Sequence, residues 1–208
     1  MSQVITRLFD TFADAEHAVI ELERVGISHN DISIVSRESD KTHAGVKVRE
    51  PRDHTAGEAG ARDAGLGAAT GGALGAAGGA LAGIGLLAIP GLGPVVAAGW
   101  LASAAVGALV GGAVVGAAGG LVGALTHAGV SQEEADVYAE GVRRGGALIS
   151  AKVEDTKLAA AEAALSGVPY VDIATRGESY RQSGWSGFNP EAAPFTDDEI
   201  ATERRRYL

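Results

Sequence analysis

Residues 64–126 read AGLGAATGGALGAAGGALAGIGLLAIPGLGPVVAAGWLASAAVGALVGGAVVGAAGGLVGALT, 63 consecutive positions without a charged side chain. They comprise 19 Gly, 19 Ala, 19 Leu, Ile or Val, and six others. The small residues are spaced, not scattered. Gly67, Gly71, Gly75, Gly79 and Gly83 recur at every fourth position, and Gly99, Ser103, Gly107 and Gly111 repeat the pattern, accompanied by Gly112, Gly116 and Gly120. A four-residue step advances about 400° round a helix, so each run would leave a shallow groove along which a second backbone can approach closely. A glycine inside a helix costs roughly 1 kcal/mol relative to alanine, and close packing with dispersion and Cα–H···O contacts is what offsets such a cost. The twelve positions together are therefore the candidate self-association residues.

Pro90-Gly91-Leu92-Gly93-Pro94 lies near the middle of the block. Proline lacks an amide donor and biases the preceding residue away from the helical region. The pattern predicts two helices, about 55–89 and 95–126, packed antiparallel as one hairpin over 55–127. Its medium stays open between two readings. Each arm exceeds the ~20 residues needed to cross a bilayer, yet Gly and Ala contribute little to insertion, and copies of the hairpin could equally share an apolar core in water.

On either side of the block the chain reads as an ordinary α+β sequence. Val4–Phe9 alternates as a strand, Thr11 caps a helix through Ala15, Ala18, Leu22 and Val25, and Gly26 stops it before a second strand over Asp31–Val35. Residues 41–53 form a polar linker. Beyond the block, Ser131-Gln132-Glu133-Glu134 is a capping box opening a helix to about Arg144. A strand follows at Ala147–Val153, then a helix capped by Asp155 and ended by Gly167, then a last strand at Tyr170–Ala174. Without the insertion and the extra helix the order is βαβ followed by βαβ. That is a ferredoxin-like four-stranded antiparallel sheet with two helices, its halves in 1–50 and 131–176. Residues 177–208 form a tail, in which Trp185, Phe188 and Phe195 are costly to leave in water and so serve as docking residues. Thr196-Asp197-Asp198-Glu199 is a second capping box, and Arg204, Arg205 and Arg206 suit the negative end of the helix it opens.

The totals exclude several chemistries. There is no Cys, so no disulfide or thiolate site exists, and a net charge of −9 gives no basis for a nucleic-acid partner. His17, His29, His43, His54 and His127 form no metal-ligand pair. Gly83 to Ala88 matches a dinucleotide-binding fingerprint in letters only, since it lies inside an apolar run ending at Pro90, and no Walker loop is present. The acidic Glu133, Glu134 and Asp136 suit the first turn of a helix. No catalytic, cofactor or metal residues are expected, and the chain is read as non-enzymatic. Met1–Arg7 carries no readable secretory signal, so the expected location is the cytoplasm, at the inner face of the cytoplasmic membrane or inserted in it.

Thr11-Phe12-Ala13-Asp14-Ala15-Glu16, followed by Leu22-Glu23 and Gly26-Ile27, resembles the heat-induced general stress protein domain of the YflT type. The strand Gly145-Gly146-Ala147-Leu148-Ile149 and the 159–167 helix are similar to its second half, and Gly184-Trp185-Ser186-Gly187-Phe188-Asn189-Pro190 resembles tails of members with a Gly/Ala-rich insertion. The resemblance implies a stress-induced, non-catalytic protein and supplies no site residues. The expectation is a homo-oligomeric scaffold assembled through its glycine zipper, associated with membrane lipid or soluble around a shared apolar core. A small-molecule sensor built on the sheet is the third reading.

Overall fold

The computed structural model describes residues 2–37, 85–89, 91–101, 104 and 120–207, with backbone only at 85–88, 93 and 94. The fold is mixed α+β. Five strands, β1 (Ser2–Phe9), β2 (Ile32–Arg37), β3 (Gly85–Ile89), β4 (Gly93–Ala98) and β5 (Ala147–Glu154), form one antiparallel sheet in the order β1-β5-β2-β4-β3. The helices are α1 (Phe12–Arg24), α2 (Leu121–His127), α3 (Gln132–Arg143), α4 (Leu158–Ser166), α5 (Ile173–Gln182) and α6 (Asp197–Arg204).

Alternation along the strands divides the core in two. Ile5, Phe9, Ile32, Ile149, Ala151 and Val153 face α1 and α4, where Ala15, Ala18, Leu22, Ala161 and Leu165 cover them. Leu8, Val35, Leu148, Val95 and Ala97 face the opposite way, beneath α2 and α3. The sheet is thus covered on both faces, which accounts for a β5 sequence that is buried at six of its eight positions and is not simply amphipathic.

Most of the flanking elements lie where the sequence predicts them. Thr11 Oγ1 accepts from the Asp14 amide, Gly26 ends α1 at φ 84°, Ser131 accepts from the Glu134 amide, and Thr196 with Glu199 forms the complete capping box of α6. Two local expectations are corrected. The helix expected to open at Asp155 begins instead as one 3-10 turn, residues 155–157, that runs straight into α4. The strand expected at Tyr170–Ala174 shrinks to a single bridge between Val171 and Leu8, because Asp172 accepts from the Thr175 amide and starts α5 at Ile173.

The larger correction concerns the hairpin. Its described centre is not helical: 85–89 and 93–98 are strands, paired Ile89 to Gly93 through Gly85 to Ala97, and β4 pairs with β2. The two prolines explain this. Residues before proline favour extended backbone, and Gly91 (φ 77°) with the bond from Leu92 N to Ile89 O at 3.0 Å closes the connection between the strands. The β-branched Ile89, Val95 and Val96 add strand preference, and β2 gains a partner on its open side. The remainder of 55–84 and 105–119 lies outside the described residues.

After β4 the chain turns over β2. Gly99 sits at φ 87°, and a Cβ there would collide with the Ile32 carbonyl and with Ser33. Leu101 N then donates to Ser33 Oγ at 2.9 Å and Trp100 Nε1 to Asp31 O at 3.2 Å. Gly129 has a similar positive φ of 98° but open space around it. Gly129→Ala should therefore cost only about 1 kcal/mol of left-handed strain, whereas Gly99→Ala should cost about 3 kcal/mol or more because collision is added to strain. Urea denaturation of the two variants measures the difference.

Candidate functional site

Of the twelve candidate self-association residues, only two are described. Gly99 is the turn residue pressed on β2, and Gly120 (φ 77°) is the N-cap of α2, so neither lies in a helix interior. Their glycine character serves backbone conformation at these two places. Gly67, Gly71, Gly75, Gly79, Gly83, Ser103, Gly107, Gly111, Gly112 and Gly116 lie outside the described residues.

The tail aromatics are brought together with the body. Phe188 packs against the core beneath α2 and α3, and with Asn189 and Pro190 it lies on the Gly91 turn. Trp185 meets the Tyr180 ring edge-on at 5.8 Å. Phe195 lies under two guanidinium groups, Arg143 at 5.0 Å and Arg144 at 5.4 Å from its ring centre, while its carbonyl accepts from Arg37 Nη1 at 2.6 Å.

These contacts border a polar cluster that the sequence reading missed. Arg144, at the end of α3, donates to Glu140 Oε1 (2.7 Å) one turn back and to Glu203 Oε1 (2.7 Å) on α6. Glu140 is completely buried, and its other oxygen lies 3.5 Å from Arg143 Nε. Glu203 also takes Arg206 at 2.9 Å. Nearby, Arg176 on α5 grips Asp10 with two bonds of 2.8 and 3.0 Å and lies 3.6 Å from the Tyr207 ring centre. Arg204 donates to Gly145 O at 2.7 Å. The available signal was the Glu140, Arg143, Arg144 spacing, which places all three on one helix face, together with the isolated Glu203.

Arg37 is unlike its neighbours. It is 7% exposed, and among the described residues it donates to the Phe195 carbonyl and, at 3.5 Å, to the Arg143 carbonyl. Its Nε has no hydrogen-bond partner, and no carboxylate among the described residues makes an ion pair with it. Burial pulls this guanidinium below its usual pKa, opposed in part by Asp197 at longer range. Glu199 is held low by the Thr196 backbone and, to a smaller degree, by Arg143.

A second polar feature runs across the sheet. Thr6, Ser150 and Ser33 are register partners on β1, β5 and β2, all buried, with Thr6 Oγ1 and Ser150 Oγ 2.9 Å apart. Tyr138 on α3 donates to Thr6 O at 3.1 Å. Protein partners satisfy this row: Thr6 and Ser150 bond each other, and Ser33 accepts from Leu101 N. A shallow groove between α1 and α4, lined by His17, Ile20, Glu21, Ala163, Ala164, Gly167 and Val168, holds no convergent polar set. Among the described residues no three His, Asp or Glu side chains are grouped to hold a metal ion, and no helix is long and apolar enough to cross a membrane. Comparison with protein-family models, with curated proteins and with solved structures finds no match.

Two predictions follow from the cluster and its tyrosines. Arg144→Met leaves two carboxylates without their shared partner, one of them fully buried, and should cost about 3–5 kcal/mol in urea denaturation. Burial pushes the Tyr138 and Tyr180 phenols up to about 12. Their unfolded value is about 10, so the stability they contribute is complete below pH 10 and is lost as pH rises toward 12. Tyr138→Phe and Tyr180→Phe should each flatten the alkaline limb of a stability-versus-pH curve.

Proposed function

We propose that the chain is a non-catalytic, self-assembling scaffold in which an α+β domain holds the ends of two small-residue apolar segments, 64–84 and 105–119. The observation that carries this reading is the four-residue glycine spacing within uncharged sequence, joined to a domain that takes up the end of the first segment and both ends of the second. β3 begins at Gly85, directly after the first; Ala104 and the buried Gly120 bracket the second. Gly67, Gly71, Gly75, Gly79 and Gly83 fall in the first segment, and Gly107, Gly111, Gly112 and Gly116 in the second.

The domain is best read as a ferredoxin-like unit with an added hairpin. β5 lies between β1 and β2, antiparallel to both, and Val171 bridges beyond β1, which is the order such a sheet requires. β3 and β4 then extend it past β2. This reading agrees with the stress-protein resemblance of the flanking segments, and a stress-responsive role is proposed on that resemblance.

Strand pairing bears on the surrounding medium. β2 and β4 are hydrogen-bonded neighbours, so the chain between them must leave and return on one side of any bilayer. The same holds for the segment between Ala104 and α2, since both of its ends pack in one core. Two crossings need about 40 apolar residues; 64–84 supplies 21 and 105–119 supplies 15. This arithmetic favours assembly in water or on a bilayer surface over a membrane-spanning hairpin.

The test is Gly75→Leu with Gly79→Leu, which fills the groove with side chains. Light scattering in detergent-free buffer should show the wild type well above the 20.9 kDa of one chain and the double variant reduced toward it. A monomeric wild type defeats the proposal. Retention of the wild type in a carbonate-washed membrane pellet would restore the spanning reading.

A further inference from the structure

We infer that Arg37, Arg143 and Arg144 form a latent phosphate-binding site, which the C-terminal helix α6 keeps closed with carboxylates of its own. The site is separate from the glycine segments and does not depend on the assembly proposed above.

All three arginines meet at Phe195. Arg37 holds its carbonyl, and Arg143 and Arg144 lie over its ring. They reach that point from different elements: Arg37 from the end of β2, the other two from the end of α3. Among the described residues the body supplies one carboxylate for this trio, the buried Glu140. The remaining negative charge comes from α6. Glu203 binds Arg144 directly, while Asp197 and Glu199 act on Arg37 and Arg143 through space. With the tail lifted, three guanidinium groups would face one carboxylate among the described residues, in a protein whose net charge is −9.

Arg37 is the residue that pairing among the described residues leaves incomplete. A buried guanidinium without an ion pair is costly; none of the described carboxylates forms one with Arg37, and its Nε also lacks a hydrogen-bond partner. The Arg143 Nε is likewise buried without a hydrogen bond, its nearest acid being at 3.5 Å. Planar forks with spare donors, held by rigid elements, match the several oxygens of a phosphate. Besides the buried Ile200, the cover is held by exchangeable ion pairs and cation–π contacts. Such contacts return little net stability once desolvation is counted, and solution ions weaken them where they are exposed. Gly184, at φ 89° with no neighbour crowding it, stands where the strap leaves α5.

The test uses the full chain with a weakened cover, Asp197→Asn with Glu203→Gln, in a Trp100→Phe background so that Trp185 emission reports tail release. Inorganic phosphate is titrated calorimetrically, and co-sedimentation compares vesicles of phosphatidylglycerol with vesicles of phosphatidylcholine. The weakened-cover chain should bind phosphate or the anionic vesicles about tenfold more tightly than the wild type, and adding Arg37→Gln should remove about tenfold, the scale of one charge-assisted contact. Arg143→Gln serves if the Arg37 variant fails to fold by circular dichroism. Binding of inorganic phosphate identifies a soluble ligand; binding of phosphatidylglycerol vesicles alone identifies a lipid headgroup. A released tail with neither binding overturns the inference. So does a tail that stays docked after both substitutions, since its carboxylates would then not be what closes the site.

Discussion

Ala147–Glu154 must pair on both edges at once, with Ser2–Phe9 on one side and Ile32–Arg37 on the other. This double pairing draws together segments more than a hundred residues apart, and every other packing relation is built around it. α1 and α4 cover one side of the strand, α2 and α3 the other. Closing so long a loop carries an entropy cost that grows only slowly with length, so a large insertion between β2 and β5 is thermodynamically tolerable. What the insertion cannot do is end anywhere else.

That restriction changes the meaning of the uncharged block. By composition alone it looks like one continuous object, a hairpin of two long arms. In the fold its centre belongs to the sheet, where Val95 and Ala97 are core residues as ordinary as Leu148. Glycine at 99 answers a collision with the Ile32 carbonyl, whereas glycine at 120 answers an N-cap backbone that other residues rarely adopt. The same residue type in the same apparent repeat therefore meets different local demands, and spacing alone does not distinguish them.

The flanking elements were legible because their signals are local: Thr11, Ser131 and Thr196 each bond an amide three residues on, and apolar periodicity marks the faces of α1 and α3. Residues 85–98 are not legible as strands by periodicity, because apolar, glycine-rich sequence offers none by which strand and helix differ; the decisive signal is the extended bias of the two prolines, which reaches beyond the turn. The arginine cluster was not legible for another reason. Arg37, Arg144 and Glu203 come from three elements, and only tertiary packing shows that an ordinary exposed-looking glutamate near the chain's end is held beside a completely buried one. The tail aromatics were legible as docking residues, and all three are half-buried against the body, but their partners were not legible.

The position of β5 in the chain also has a consequence for biosynthesis. Translation delivers residues in order, so the whole uncharged block has been polymerised before the first residue of the strand that organises the sheet. At ~5–20 residues per second, the interval from position 126 to position 154 lasts roughly 1 to 6 seconds. During it β2 can recruit β4, but neither has β5 to lean on, and the nascent chain carries its most water-averse stretch without a finished domain beside it. A sequence of this kind is suited to cells that keep holdases close to the ribosome exit.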